Sequence, residues 1–514
     1  MPAIQYTLSA LDYTIIDREA SGWHICVVLR LKRRFLMNML NIRLTTLMCL
    51  LGLGAAIAQS SSSTTTYSRN DGKTMTIRHN NGFQDFQVEM RGKMEITDDD
   101  KDIKSMSPDG YLEITKTTFG SRRTLIISSQ GGGLKREYYE GRTSMPWEPE
   151  GRKWLAEIMP ELLRTTTIGA ESRVNRFYRQ GGVNGVLNEI SQLESDYVAQ
   201  HYADLLMKVS GVPQKDYANI IRKVTGKMDS DYYITEFLQN NLDKFVTNKE
   251  AMEAVFTASG EMDSDHYKTE VIKSALRAQP ISAESVRIIL AASDRMDSDH
   301  YKTEVLTTLL RQPNLTDPIV AEMINSTRGF DSDHYRTVVI QKALGQKNLT
   351  AASYQKVLES IKEFDSDHYK TQVLTDLLSN KLPTDQVFNL VTISNSFDSD
   401  HYLTIVFQKI LKNQELSDEA FNSLMERISN LDSDHYATQI MKSALEMPGL
   451  NDAKLISILK AASNIDSDHY ITEVLTDAAP LVKSGSSSVK DAYRTAARSI
   501  SSDTYYGRAL KAID

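Results

Sequence analysis

Cysteine is almost missing from this 514-residue chain: Cys26 and Cys49 are the only two. That excludes a disulfide scaffold and any cysteine-rich zinc or iron–sulfur centre. No run of 18 or more apolar residues occurs, which excludes a multi-span membrane protein. An excess of positive charge is also lacking. The net charge is −8 and the pI about 5.8, which argues against nucleic acid as the main partner. P-loop, dinucleotide-binding, nucleophile-elbow and zinc-protease signatures are all absent. What remains is an ordinary globular composition, 41% hydrophobic and 25% charged. The length calls for two or more domains or one extended repeat array.

The N-terminus reads as an export signal. A basic cluster (Arg30, Lys32, Arg33, Arg34) and Arg43 precede the apolar run Leu44 to Ala58, which ends in the small-x-small triplet Ala56-Ile57-Ala58. Fifteen residues are short for a membrane span. The predicted cut follows Ala58, and residues 1–36 read as an upstream extension before a true start at Met37 or Met39. Cleavage removes six basic and three acidic residues, leaving 53 and 64, a net −11, and no cysteine. Such a chain folds in an oxidising compartment without mispairing. The expected location is periplasmic or secreted, with membrane contact only through the signal segment if it stays uncleaved.

A repeat dominates the rest. The pentapeptide Asp-Ser-Asp-His-Tyr begins at Asp263, Asp297, Asp331, Asp365, Asp398, Asp432 and Asp466, at spacings of 34, 34, 34, 33, 34 and 34. A variant begins at Asp229, and decayed copies begin at Glu194 and Ser501. Seven of the ten histidines lie in the motif. Each unit reads as two helices. In the unit from Asp263, Tyr267, Val271, Ile272, Ala275 and Leu276 share one face. A second helix then starts at Ser282 and turns Val286, Ile289, Leu290 and Ala291 inward. Ser282, Thr316, Thr350, Thr384, Ser417 and Asn451 are the expected N-caps of the second helices. Asp263 and its equivalents are the expected caps of the first helices. The apolar residue before each, from Met262 to Ile465, is expected to staple to the motif tyrosine. A hairpin of this size cannot bury its apolar face alone, so neighbours must stack into an α-solenoid of about ten units. The length matches tetratricopeptide repeats but their residue pattern does not; the units look more like HEAT-type repeats.

The motif restricts its residues more than capping requires, and two readings stand. In the structural one, the second aspartates (Asp265, Asp299, Asp333, Asp367, Asp400, Asp434, Asp468) and the first ones bond their own backbone and a neighbour's His or Ser. The histidines (His266, His300, His334, His368, His401, His435, His469) complete a polar ladder over the tyrosines (Tyr267, Tyr301, Tyr335, Tyr369, Tyr402, Tyr436, Tyr470). In the other, Asp and His ligate a divalent ion. His266 with Glu270, His300 with Glu304 and His469 with Glu473 are i,i+4 pairs, but Val338, Gln372, Ile405 and Gln439 replace the glutamate in four of seven copies. The ladder therefore carries no metal or cofactor assignment and no catalytic one. Asp98-Asp99-Asp100 with Asp102 reads as a solvated turn or a cation site, and His79 and His201 stand alone.

Ahead of the array, residues 59–72 read as a flexible Ser/Thr linker and 73–145 as a small antiparallel sheet or sandwich of five or six strands. Residues 146–185 read as connecting helices and 186–514 as the solenoid. The stretches 96–114 (ITDDDKDIKSMSPDGYLEI) and 151–198 (GRKWLAEIMPELL to LESDYV) resemble extracytoplasmic regions of bacterial proteins. Some of those are attached to beta-lactam-sensor-type membrane metallopeptidases and others are stand-alone exported proteins. This chain has no HExxH, so peptidase activity does not carry over; the resemblance implies an envelope location and a sensing or scaffolding role. The expected function is a non-catalytic scaffold for a protein or peptide, with a metal-dependent protein using the ladder and a structural or adhesin-like protein as alternatives.

Overall fold

Residues 64–70, 74–80, 84–278, 281–313, 315–347 and 349–514 are described by a computed structural model. The upstream extension, the signal segment and its cut lie outside the described residues. The fold is mainly α: an α-solenoid preceded by a small antiparallel β domain.

Among the described residues nine strands come first: β1 (Thr64–Asn70), β2 (Thr74–Asn80), β3 (Gln84–Arg91), β4 (Met94–Ile96), β5 (Ile103–Met106), β6 (Tyr111–Thr118), β7 (Ser121–Gln130), β8 (Gly133–Glu140) and β9 (Thr143–Met145). Seven form one sheet in the order β1-β2-β3-β6-β7-β8-β9, and β4 and β5 make a separate hairpin. The expectation of five or six strands is thus too low. The linker expected over 59–72 is also corrected. Thr64–Asn70 pairs along its length with β2, because β-branched threonines suit a pleated strand better than a free coil. The turn read at Gly131 joins β7 to β8. Gly131 and Gly132 take φ of 59° and 83°, the left-handed pair that a two-residue hairpin loop demands.

The alternation seen in sequence becomes cross-strand packing. Val88 lies opposite Ile114, Leu112 opposite Ile127, and Leu125 opposite both Ile114 and Tyr138. All six are buried. Their cover is a helix, with Met94, Ile96 and Ile103 of the β4–β5 hairpin in the same core. Helix α1 (Arg152–Thr165) lays Trp154, Leu155, Ile158, Met159 and Leu162 into the same core. Each such side chain contributes about 1.5–3 kcal/mol by leaving water. The helix read as a connection therefore completes the β domain.

The second core is continuous from Ala170 in α2 (Ala170–Ile190), through α3 (Asp196–Lys208), to Ala509 in the last helix. Equivalent helices of successive units touch, and most second helices also touch the first helix of the next unit, the stacking that a lone hairpin needs. Ser282, Thr350, Ser417 and Asn451 accept their helices' N–H groups as caps. Thr316 holds the cap position without that bond, and Pro383 takes the place expected of Thr384. Among the described residues, no helix is long and apolar enough to cross a membrane.

Candidate functional site

The motif's first helices begin one residue later than expected. Asp299–Leu309, Asp333–Leu344, Asp367–Leu377, Asp400–Asn413, Asp434–Leu445 and Asp468–Ser484 each start at the second aspartate. The serine before it is the cap residue, in extended conformation and making no side-chain capping bond. Asp263 and its equivalents are therefore not caps, and they stand outside their helices.

The capping comes from the preceding unit. Asp265 Oδ2 accepts the backbone N–H groups of Asp297 (2.9 Å) and Ser298 (3.0 Å). Asp367 Oδ2 does the same for Asp398 (2.9 Å) and Ser399 (2.8 Å). Asp299, Asp333, Asp400 and Asp434 reach Ser332, Ser366, Ser433 and Ser467. The series begins with Asp196 on Ser230 and ends with Asp468 on Ser502. The ladder thus joins carboxylate to neighbouring backbone, not to a neighbour's His or Ser side chain. A carboxylate aimed at orphan N–H groups at a helix start gains both charge-assisted bonds and the helix dipole.

A cation closes the other side of the carboxylate in four units. Lys268, Lys302, Arg336 and Lys370 lie 3.4, 3.8, 3.6 and 3.2 Å from Asp265, Asp299, Asp333 and Asp367. Three of them also cover the ring of the apolar residue ahead of the next motif: Lys302 over Phe330, Arg336 over Phe364, Lys370 over Phe397. Phe330, Phe364 and Phe397 are buried. These residues sit under the clamp instead of forming the expected helix-start staple, because the later helix start moves the tyrosine to the third helical position.

The histidines and tyrosines form a second line. Each histidine ring lies 5.1–5.4 Å from its own tyrosine and 5.8–6.1 Å from the tyrosine of the following unit. His266 meets Tyr301, His300 Tyr335, His334 Tyr369, His368 Tyr402, His401 Tyr436, His435 Tyr470 and His469 Tyr505. Tyr197, Tyr233, Tyr232 and Tyr267 extend the line toward the β domain. The tyrosines are half-buried and the histidines exposed. At the fourth residue beyond, His300 and His469 face Glu304 (3.8 Å) and Glu473 (3.3 Å), and His368 and His435 bond Gln372 and Gln439 at 2.9 Å. Among the described residues, no three or more His, Cys, Asp or Glu side chains converge as a metal ion requires.

Two further sets of contacts were not anticipated. Gln312, Gln346 and Gln414 donate to the carbonyls of Leu276, Leu310 and Leu378, tying each hairpin turn to the previous first helix. Their near-constant offset from the motif is the signal that could have shown them. The acidic turn is solvated only in part: Asp98 and Asp99 are exposed, whereas Asp100 and Asp102 are held by arginines. Asp100 pairs with Arg176 (2.6 Å) and Arg173 (3.2 Å) of α2, and Asp102 with Arg136 and Arg152. Arg173 also bonds Glu189 and the Tyr202 hydroxyl, both at 2.5 Å. Burial opposes its charge, but Tyr202, Asp100 and Glu189 hold the guanidinium above its ordinary range, while burial pushes the Tyr202 phenol up to about 12. His201 is lowered, chiefly by burial.

This geometry defines an α-solenoid whose successive units are locked by carboxylate-to-backbone bonds. No family model and no curated protein matches the chain. Solved structures similar to it include two whose matches cover most of the chain's length. APUM23 with its insert region deleted, in a structure with GGAAUUGACGG, is 15% identical over 71% of this chain and 85% of that one, with a TM-score of 0.16. A computationally designed self-assembling cyclic homo-oligomer is 11% identical over 67% and 92%, with a TM-score of 0.09. The exclusion of nucleic acid as a partner, which rested on whole-chain charge, is withdrawn. The physical reason is that the net charge of a whole chain does not fix the potential of one face. Scores this low carry no argument about what this chain binds.

Proposed function

We propose that this chain is an exported scaffold of the cell envelope that holds a protein or peptide along its solenoid without catalysing a reaction. The observation behind this reading is the ribbon of alternating rings from Tyr197 to Tyr505. The ladder aspartates are occupied inside the stack, whereas the imidazoles stand exposed at every unit. A regular surface of this kind suits an extended partner, because rigid aromatic groups give contact area at little cost in side-chain entropy. The basic and apolar N-terminal segment and the resemblance to extracytoplasmic repeat regions support the envelope location.

The test is selection of displayed random peptides on the full-length folded protein. Expected is enrichment of a shared sequence whose binding drops at least tenfold when His300, His334 and His368 are together replaced by alanine. No enrichment, or binding indifferent to that replacement, refutes the reading.

A further inference from the structure

The unit that begins at Asp229 lacks the buried cation of the four units that follow it, and a cavity lies in its place. The Arg336 guanidinium of the unit from Asp331 donates to three carbonyls: Thr327 (3.1 Å) and Phe330 (2.6 Å) at the end of the preceding unit, and Glu363 (2.6 Å) at the end of its own. Lys370 bonds the matching carbonyl of Ser396 at 2.8 Å. In the unit from Asp398 the position holds Leu403, but Arg427 enters from the second helix and reaches the carbonyls of Phe397 and Asn430, both at 3.5 Å. The stack thus supplies this carbonyl cage with a basic group by two routes.

At Asp229 both routes are closed. Ile234 replaces Arg336 in register, and Ala258 replaces Arg427. The residues matching Thr327, Phe330 and Glu363 are Thr225, Met228 and Glu261, and all three line a cavity of about 370 Å³ together with Ile234 and Ala258. That volume lies within the range of about 300–1,000 Å³ common for ligand sites. Asp229, Asp231, Glu261 and Asp263 also border it, with Arg222 in the lining, Arg295 3.8 Å from Glu261, and Asp231 Oδ2 already accepting the N–H groups of Asp263 and Ser264. Ala437 and Ile471 also replace the cation in their units. At Asp229 the absence coincides with a cavity bordered by carboxylates.

We infer that this cavity receives the guanidinium or ammonium group of a basic side chain on an extended peptide partner. The inference rests on the scaffold reading and gives its partner a chemistry: an arginine or lysine anchor that completes the cage as Arg336 does internally. Fork-shaped donors suit a cage of several oxygens, so arginine should exceed lysine.

The test titrates the full-length protein with Ac-Gly-Ser-Gly-Arg-Gly-Ser-Gly-amide, its lysine and citrulline versions, and free arginine. Expected is binding in the order arginine, lysine, citrulline, with citrulline at least tenfold weaker than arginine and free arginine weaker than the peptide. Ile234→Arg and Ala258→Arg, each supplying the cation from within, should abolish it. Asp229→Asn with Glu261→Gln should weaken it at least fivefold. Circular dichroism checks that each variant folds, and Ala258→Arg stands in if Ile234→Arg does not. Equal binding of citrulline, equal binding of free arginine, or binding unchanged in the filled variants overturns the inference. If peptides selected on the whole protein bind Ala258→Arg undiminished, the anchor fails and the scaffold stands. If no peptide is enriched at all, the scaffold reading itself has failed.

Discussion

Replacing one motif aspartate should matter far more than replacing the other, although the two are separated by a single serine. Asp367 Oδ2 accepts two backbone N–H groups of the next unit, and Oδ1 faces Lys370 at 3.2 Å; the two side chains are 10% and 6% exposed. Hydrogen bonds to a charged group contribute about 1.5–3 kcal/mol each. Stripping the partner from a buried ion pair costs about 3–5 kcal/mol. These terms overlap, and Lys370 keeps the Ser396 carbonyl and the Phe397 ring. Asp367→Ala should therefore destabilise its part of the stack by about 3–5 kcal/mol. Asp367→Asn keeps an acceptor oxygen and should cost about 1–2 kcal/mol. Asp365 contributes its backbone N–H to Asp333, a donor that alanine retains, so Asp365→Ala should change stability by less than about 0.5 kcal/mol. Stability in a repeat array is local, so amide exchange is the assay. Asp367→Ala should speed exchange in the helices flanking residues 365–399 and leave the units after Asp466 protected. Equal effects of the two alanine variants, or a larger one at Asp365, would refute between-unit capping.

Other consequences follow from the same contacts. Asp100→Asn should loosen the joint to Arg173 and Arg176 by about 3 kcal/mol, seen as faster proteolysis between α1 and α2 with both cores still folded; an unchanged cleavage rate would count against the joint. Leu125→Ala in the sheet core should cost about 2–5 kcal/mol. Trp147 and Trp154 both belong to the β domain, so tryptophan fluorescence should report an earlier transition while helical circular dichroism holds; coincident loss of both signals would show one cooperative unit. Burial lowers the His201 pKa below 6.5 in the folded chain. A base lowered on folding binds its proton more readily when unfolded, so its stabilising neutrality is complete above about pH 6.5 and is lost progressively as pH falls below it. His201→Gln should flatten the decline of melting temperature between pH 6.5 and 5; an unaltered slope would discount that histidine.

Much of this fold is legible in the sequence because period and patterning are local properties. The spacing of 34, the apolar face of Val271, Ile272, Ala275 and Leu276, and the alternation at Phe86 and Val88 each need only neighbouring residues to interpret. What escaped is contact between units. Asp263 looks like a cap because a cap is the local use of an aspartate ahead of a helix. The actual use of Asp265, on Asp297 and Ser298, requires knowing how far one hairpin is displaced from the next. Thr64–Asn70 was misread for a similar reason, since composition suggested coil and only pairing with β2 reveals the strand. The acidic turn at Asp100 lies 73 residues before Arg173, and nothing between them announces the pairing.

The decayed ends of the array carry a direction that the intact copies hide. In the ring line, position four of the motif faces forward to the next unit and position five faces backward. The first copy keeps a ring at position four, Tyr197 on Tyr233, but has Val198 at position five, where no earlier histidine meets it. The copy at Ser501 keeps position five, Tyr505 on His469, but has Thr504 at position four, beyond which the described residues hold no further unit. Among the described residues, each ring is retained where a neighbouring unit faces it and relaxed where none does. A motif that served only its own helix would have no reason to decay from opposite sides at opposite ends. The predicted consequence is a vectorial one. His401→Ala should perturb the amide and ring signals of Tyr436 more than those of Tyr369, by nuclear magnetic resonance of selectively labelled tyrosine. Equal perturbation on both sides would mean that the line has no direction and that the ends decay for another reason.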